Sequence, residues 1–331
     1  MESALSNRPP APRAAPSVRH LPIGLFGAVM SVAGLALAWR LASKAYGASI
    51  AVSNTIGLVA LAMFVVLAAS YLRKLAVFPD VVKQEFSHPV LGSFFGTIGI
   101  SVLLLSSVVS SYSAAVQLFT WAAGALLTLG LTVILFSRLF DGNADPGSVA
   151  PAWLIGGVGS LDIVVTGAAL KAEWTTEVNL LAAAVGAVSA VVFFVLIFSR
   201  LVHHEPLAAA LRPSKMILVA PFSVGFIAYV NLVQKVDMFA ALLFYFALFL
   251  FLFVIIFYRL LKNPVPFSAS WWGIGFPMAA LSNAAFIYAG AVGGRGLGTI
   301  AALLLLVLTV SIAVLSVRTL HALFSGRLLR G

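Results

Sequence analysis

From residue 21 onward the chain is a succession of apolar stretches separated by short polar breaks. Ten of them approach or exceed the roughly 20 residues that a helix needs to cross a bilayer. They cover 21–39, 50–72, 90–110, 113–137, 149–170, 178–201, 214–233, 238–261, 268–290 and 297–320. Two textures alternate along the series. The odd stretches carry proline and glycine: LPIGLFG, HPVLGSFFGTIG, APAWLIGGVGS, APFSVG and GIGFPM, with Pro22, Pro89, Pro151, Pro221 and Pro277. The even stretches are continuous and oily, FAALLFYFALFLFLFVIIFYRLL being the extreme. Each even stretch ends in an arginine: Arg73, Arg138, Arg200, Arg259 and Arg318. These recur about every 60 residues, which predicts a helical hairpin used five times.

The alternation predicts an architecture. Small residues and helix breaks allow close approach and need neighbouring protein or water to satisfy freed backbone groups, so they suit an inner layer. Plain apolar helices suit the lipid boundary. The expected fold is therefore an all-α polytopic membrane protein of ten helices, with five kinked helices inside and five outside. Five helices about one axis leave a central gap that side chains fill or water occupies.

Composition supports the membrane assignment and narrows the chemistry. With 62% hydrophobic and 9% charged residues among 331, and a mean hydropathy of +1.09, the chain is no soluble globular domain. The absence of cysteine excludes disulfides, thiolate metal sites and cysteine nucleophiles. The net charge of +10 reads as basic loops on the cytoplasmic side, and no nucleic-acid partner is expected. Arg40, Lys44, Lys171, Lys235 and Arg295 form the external set when both termini are cytoplasmic. The expected location is the inner (plasma) membrane. Residues 1–20, rich in proline and alanine with Arg8, Arg13 and Arg19, read as a disordered cytoplasmic tail. Residues 21–322 form the expected membrane domain, and 323–331 a short cytoplasmic tail.

No catalytic cluster stands out. His20, His88, His203, His204 and His321 all fall at predicted cytoplasmic helix ends or loops. His203 and His204 lack a third ligand at a useful spacing, so neither metal nor cofactor is expected. Asp80, Lys83 and Glu85 read as a solvated loop, and Gly92 with Gly96 as a packing motif. Asp162 is the acid that lies clearly within a stretch. It is a candidate proton site, or a structural group kept neutral or paired with Asn283 or Asn231. The stretch Ser268–Gly290 carries Gly273, Gly275, Phe276, Pro277, Ser282 and Asn283. Phe276 lies roughly 13 Å into the span, near the midplane. Its residues leave two readings open: an aromatic packed beside a proline kink, or a plug in a pore.

FSHPVLGSFFGTIG, APAWLIGGVGS and above all WWGIGFPMAALSNAAFIYAG resemble the tellurite-resistance/dicarboxylate transporter family. That family includes the bacterial TehA proteins and the slow-type anion channels of plant guard cells. The resemblance runs from about Pro22 to Arg318. It implies five hairpins in a quasi-fivefold array, odd helices lining a central pore, and a homotrimer. It also implies that Phe276 is the pore gate, because it stands where the family has a pore-occluding phenylalanine. Phe26, Phe94, Trp153 and Phe222, in corresponding parts of the other odd helices, and Pro277 are pore-lining candidates. The implied function is a channel for small anions such as chloride or nitrate. The alternative is a proton-coupled exporter of dicarboxylate, sulfite or tellurite-type oxyanions with Asp162 as its proton site. The implied partners are small inorganic or organic anions and the lipid bilayer. Asp162 is a departure, since a fixed negative charge opposes anion conduction.

Overall fold

The five prolines of the odd stretches mark where the chain enters each inner helix. The structure, a computed structural model, describes residues 16–142, 145–257 and 265–330. Arg259, and residues 1–15 of the expected tail with Arg8 and Arg13, lie outside the described residues. The helices are α1 (Phe26–Tyr46), α2 (Ile50–Val77), α3 (Pro79–Ser87), α4 (Gly96–Val109), α5 (Ala114–Phe140), α6 (Trp153–Gly167), α7 (Glu173–His203), α8 (Ala220–Val233), α9 (Met238–Phe257), α10 (Gly275–Val292) and α11 (Arg295–Phe324).

Five hairpins pair α1 with α2, α4 with α5, α6 with α7, α8 with α9 and α10 with α11. The first member of each pair contacts its counterparts in sequence, α1–α4–α6–α8–α10, and α10 returns to α1, so the inner ring closes. Each outer helix also touches the inner helix of the next hairpin, which locks neighbouring units together. Burial follows the texture of the sequence. The inner spans built on α1, α4, α8 and α10 are 61–78% buried, whereas the outer spans are 17–33% buried. α6 buries every residue but Val165. Among the described residues nine helices are long and apolar enough to cross a membrane, and α6 is shorter at 15 residues.

The inner helices begin with tight 3₁₀ turns: Ile23–Leu25, Gly92–Phe95, Ala209–Val219 and Ala269–Gly273 precede α1, α4, α8 and α10. Proline has no N–H to give, and the first turn of a helix has no use for one. Pro221 and Pro277 accordingly fall in the first turns of α8 and α10. The expected proline kink within a continuous ninth span is thus a junction between a 3₁₀ turn and an α-helix. Gly275 at that junction is a close approach: a Cβ there would strike the Ser31 side chain of α1. Gly96 plays the same part between α4 and α6, where a Cβ would lie 3.1 Å from Ile155.

Two expectations change. Asp80, Lys83 and Glu85 belong to α3 and not to a loop; Asp80 and Lys83 are exposed, whereas Glu85 is partly buried against Lys74. Lys74 of α2 is fully buried and pairs with Glu85. Its Nζ also donates to the Leu21 carbonyl at 2.8 Å, and the Tyr71 hydroxyl donates to Glu85 at 2.7 Å. Residues 16–20 are the described end of the expected tail. There Val18–His20 forms a 3₁₀ turn, and the Ser17 N–H donates to the Leu329 carbonyl at 2.9 Å. The two ends of the described chain therefore meet on one face.

Candidate functional site

A small cavity of about 40 Å³ lies where the five inner helices converge. It is lined from every member of the ring: Gly27 and Met30 of α1, Thr97 and Ile100 of α4, Leu154, Val158 and Asp162 of α6, Ala220 of α8, and Phe276 with Pro277 of α10. Most of these residues belong to the first two turns of their helices. The positive ends of five helix dipoles therefore surround the cavity, a field that favours an anion. Phe276 is the large side chain that α10 contributes here, and it is only partly buried because it faces this space. The volume has room for about two or three waters, too little for a hydrated ion.

A vestibule of about 1120 Å³ adjoins this throat, and Gly24 and Phe94 line both spaces. Arg19, Arg318, Arg327 and Arg330 line the vestibule together with His20 and His321. Glu85 is the acid among the lining residues, and Lys74 already neutralises it. The Arg330 Nε is buried without a hydrogen-bond partner, and the Arg19 guanidinium lies 6.0 Å from the Phe78 ring. Cations from both ends of the chain thus gather around one mouth, and low-dielectric walls strengthen their field.

The expected pore-lining residues divide into two groups. Phe94, Phe276 and Pro277 line the throat. Phe26, Trp153 and Phe222 do not. Phe26 points outward onto α2, 5.9 Å from the Phe64 ring and 6.1 Å from Tyr71. Trp153 packs 6.4 Å from Phe193 and donates its Nε1–H to the Pro89 carbonyl at 3.1 Å, beside a separate crevice. Phe222 sits between Phe194 and Phe246, at 5.0 and 4.5 Å, in an apolar groove among α7, α8 and α9.

Asp162 lines the same cavity as Phe276. Neither asparagine offered as its partner reaches it. The Asn283 amide donates to the Gly34 carbonyl at 3.4 Å, and the Asn231 amide to the Val165 carbonyl at 3.2 Å. Thr97, Met30 and Ile100 were not singled out from the sequence. A signal existed: Gly24, Gly27 and Met30, like Phe94, Thr97 and Ile100, repeat every third residue behind a proline-marked start.

A closed ring of five proline-started helices around a common cavity, ringed by oily outer helices, defines a polytopic membrane protein. Residues 20–320 match the SLAC1 family, described as voltage-dependent anion channel, and the chain belongs to that family. It is 25% identical to the S-type anion channel SLAH2 of Arabidopsis thaliana, over 93% of this chain and 60% of that protein. It is 26% identical to the guard cell S-type anion channel SLAC1 of the same plant, over 93% of this chain and 57% of that protein. The tellurite resistance protein TehA homolog of Haemophilus influenzae is 24% identical over 80% of both chains. The chain thus spans little more than half the length of these plant relatives.

Proposed function

We propose that this protein is an anion channel in which small anions of the chloride or nitrate kind pass along the axis of the inner ring, with Phe276 as the gate. The observation that carries the reading is the throat itself. Five helix N-termini surround it, Phe276 faces into it, and an arginine-lined vestibule adjoins it. In such a layout the vestibule concentrates anions, the helix ends replace part of their hydration, and the apolar ring blocks passage or gates by dewetting. The names of the plant relatives point the same way.

Ten crossings belong to this reading, with α6 as the tenth. An odd number would leave Ser17 and Leu329 on opposite faces, yet they are hydrogen-bonded. The arginine bias then puts that shared face, and the vestibule with it, in the cytoplasm. The inner membrane and a homotrimer complete the proposal, the latter by resemblance. Asp162 in the throat favours one second reading, a proton-coupled exporter of dicarboxylate, sulfite or tellurite-type oxyanions. Purified protein in a planar bilayer separates the two. A channel gives a reversal potential that follows the chloride or nitrate gradient and ignores a pH gradient. A reversal potential or uptake that tracks the pH gradient contradicts the channel and supports the exporter.

A further inference from the structure

α6 places an acid on the small cavity where the inner helices converge. Asp162 is 2% exposed and lines the same cavity as Phe276 and Thr97. No hydrogen bond or ion pair joins its carboxyl group to any described residue; the Thr166 hydroxyl reaches only its backbone carbonyl. The elements packed on α6 carry other titratable groups. These are Arg138 on α5, Glu173, Glu177, Arg200 and His203 on α7, Tyr229 on α8, and Arg212 and Lys215 ahead of α8. None of them lines the cavity, nor does any titratable side chain of α1, α4 or α10. Asp162 alone therefore sets the side-chain charge of the throat among the described residues.

An ionised carboxylate there has two effects. It uses the field of the helix ends that a permeant anion needs. It also repels that anion: two like charges about 5 Å apart at an effective dielectric constant of about 20 change occupancy on the order of a hundredfold. Resting on the channel reading above, we infer that Asp162 is the proton-binding site of the throat, which passes anions when Asp162 holds a proton and rejects them when it does not. The proton binds and stays while anions cross, so pH sets the open probability without driving the flux. This assigns a role to an acid that lies on the anion path yet has no structural partner.

The test uses the Phe276→Ala channel, in which the ring no longer hides the effect, and the Phe276→Ala/Asp162→Asn double variant. Both are recorded in symmetric chloride from about pH 5.5 to about pH 8.5, a range that spans free histidine but not free carboxylates. The current of Phe276→Ala should fall at least about tenfold as pH rises, with Coulomb repulsion as the cause. The double variant should keep a high current throughout. A pH effect arising elsewhere in the protein acts on both variants alike, so only loss of the fall on Asp162→Asn assigns it to the throat. A Phe276→Ala current independent of pH overturns the inference and leaves the channel reading standing. So does an equal fall in both variants. No anion current in Phe276→Ala at normal surface expression overturns the channel reading, and this inference with it.

Discussion

The Lys74–Glu85 pair sets a stability limit that can be worked from the structure. Lys74 is fully buried, and its ammonium has three neighbours: the Glu85 carboxylate, the Leu21 carbonyl at 2.8 Å and the Tyr71 ring at 5.3 Å. Together they tie α2 and α3 to the lead-in of α1, forming one wall of the vestibule. Glu85→Gln removes the counter-charge but leaves the ammonium in place. Breaking one partner of a buried pair costs about 3–5 kcal/mol. Glu85 keeps 19% exposure, so water relieves part of the loss and the lower end of that range, about 3 kcal/mol, applies. Lys74→Met alone removes the buried charge and should cost less, because Glu85 can turn to solvent. The double variant should recover most of the Glu85→Gln loss. Reversible unfolding of the purified protein in mixed micelles, run as a double-mutant cycle, reads the coupling, expected at about 1–3 kcal/mol. Additive effects, or a Glu85→Gln variant within about 0.5 kcal/mol of the parent, would refute the pairing as a source of stability.

Other consequences can be checked at other places in the fold. Gly275→Val forces a side chain into Ser31 and should destabilise the α1–α10 contact by about 1–3 kcal/mol, seen as lower thermal stability with no rescue by low pH. Arg318→Gln with Arg327→Gln should lower anion current severalfold at low ionic strength and converge on the parent near 1 M salt, where the Debye length is about 3 Å; an equal loss at both would count against electrostatic concentration. Phe222→Ala should cost about 3 kcal/mol of packing yet leave conductance per folded molecule unchanged, since the ring lies off the axis; a change in selectivity would place it on the path. Glu205→Cys, at an exposed position beyond α7, should react with an impermeant thiol reagent from the cytoplasmic side, and periplasmic labelling would invert the topology.

The order of helices and their division into two rings were legible because lipid and protein ask for different residues. Helix breaks at proline need neighbouring helices to satisfy the freed backbone groups and glycine lets those helices approach closely, whereas oily runs such as α9 suit lipid on one side. Phe276 and Pro277 were legible for the same reason. The direction of each aromatic was not. Both faces of an inner helix are apolar, so Phe26 and Phe94 look alike in sequence although one meets α2 and the other the throat. α3 was obscured by its short length and its charges, whose partner Lys74 is a tertiary neighbour. Which cations line the vestibule was hidden, because they come from opposite ends of the chain. Arg19 and Arg327 become neighbours of one cavity only after the ring closes and Ser17 meets Leu329.

The gate assignment has the most direct measurement. Phe276 is the bulky apolar group that α10 places in a throat of about 40 Å³, and Phe276→Ala replaces its benzyl side chain with a methyl group. If the ring closes the path, water fills the widened throat and anions follow. Removing even about 1.4 kcal/mol of barrier raises current per channel about tenfold. Anion preference should stay unchanged because no charge is altered. If the ring only packs the core, the same substitution costs about 3–5 kcal/mol of stability and yields fewer molecules with no gain in current. Planar-bilayer recording of parent and Phe276→Ala channels, normalised to folded protein, should show at least that tenfold gain with the reversal potential held at the anion gradient. Unchanged or reduced current per folded molecule would contradict the account.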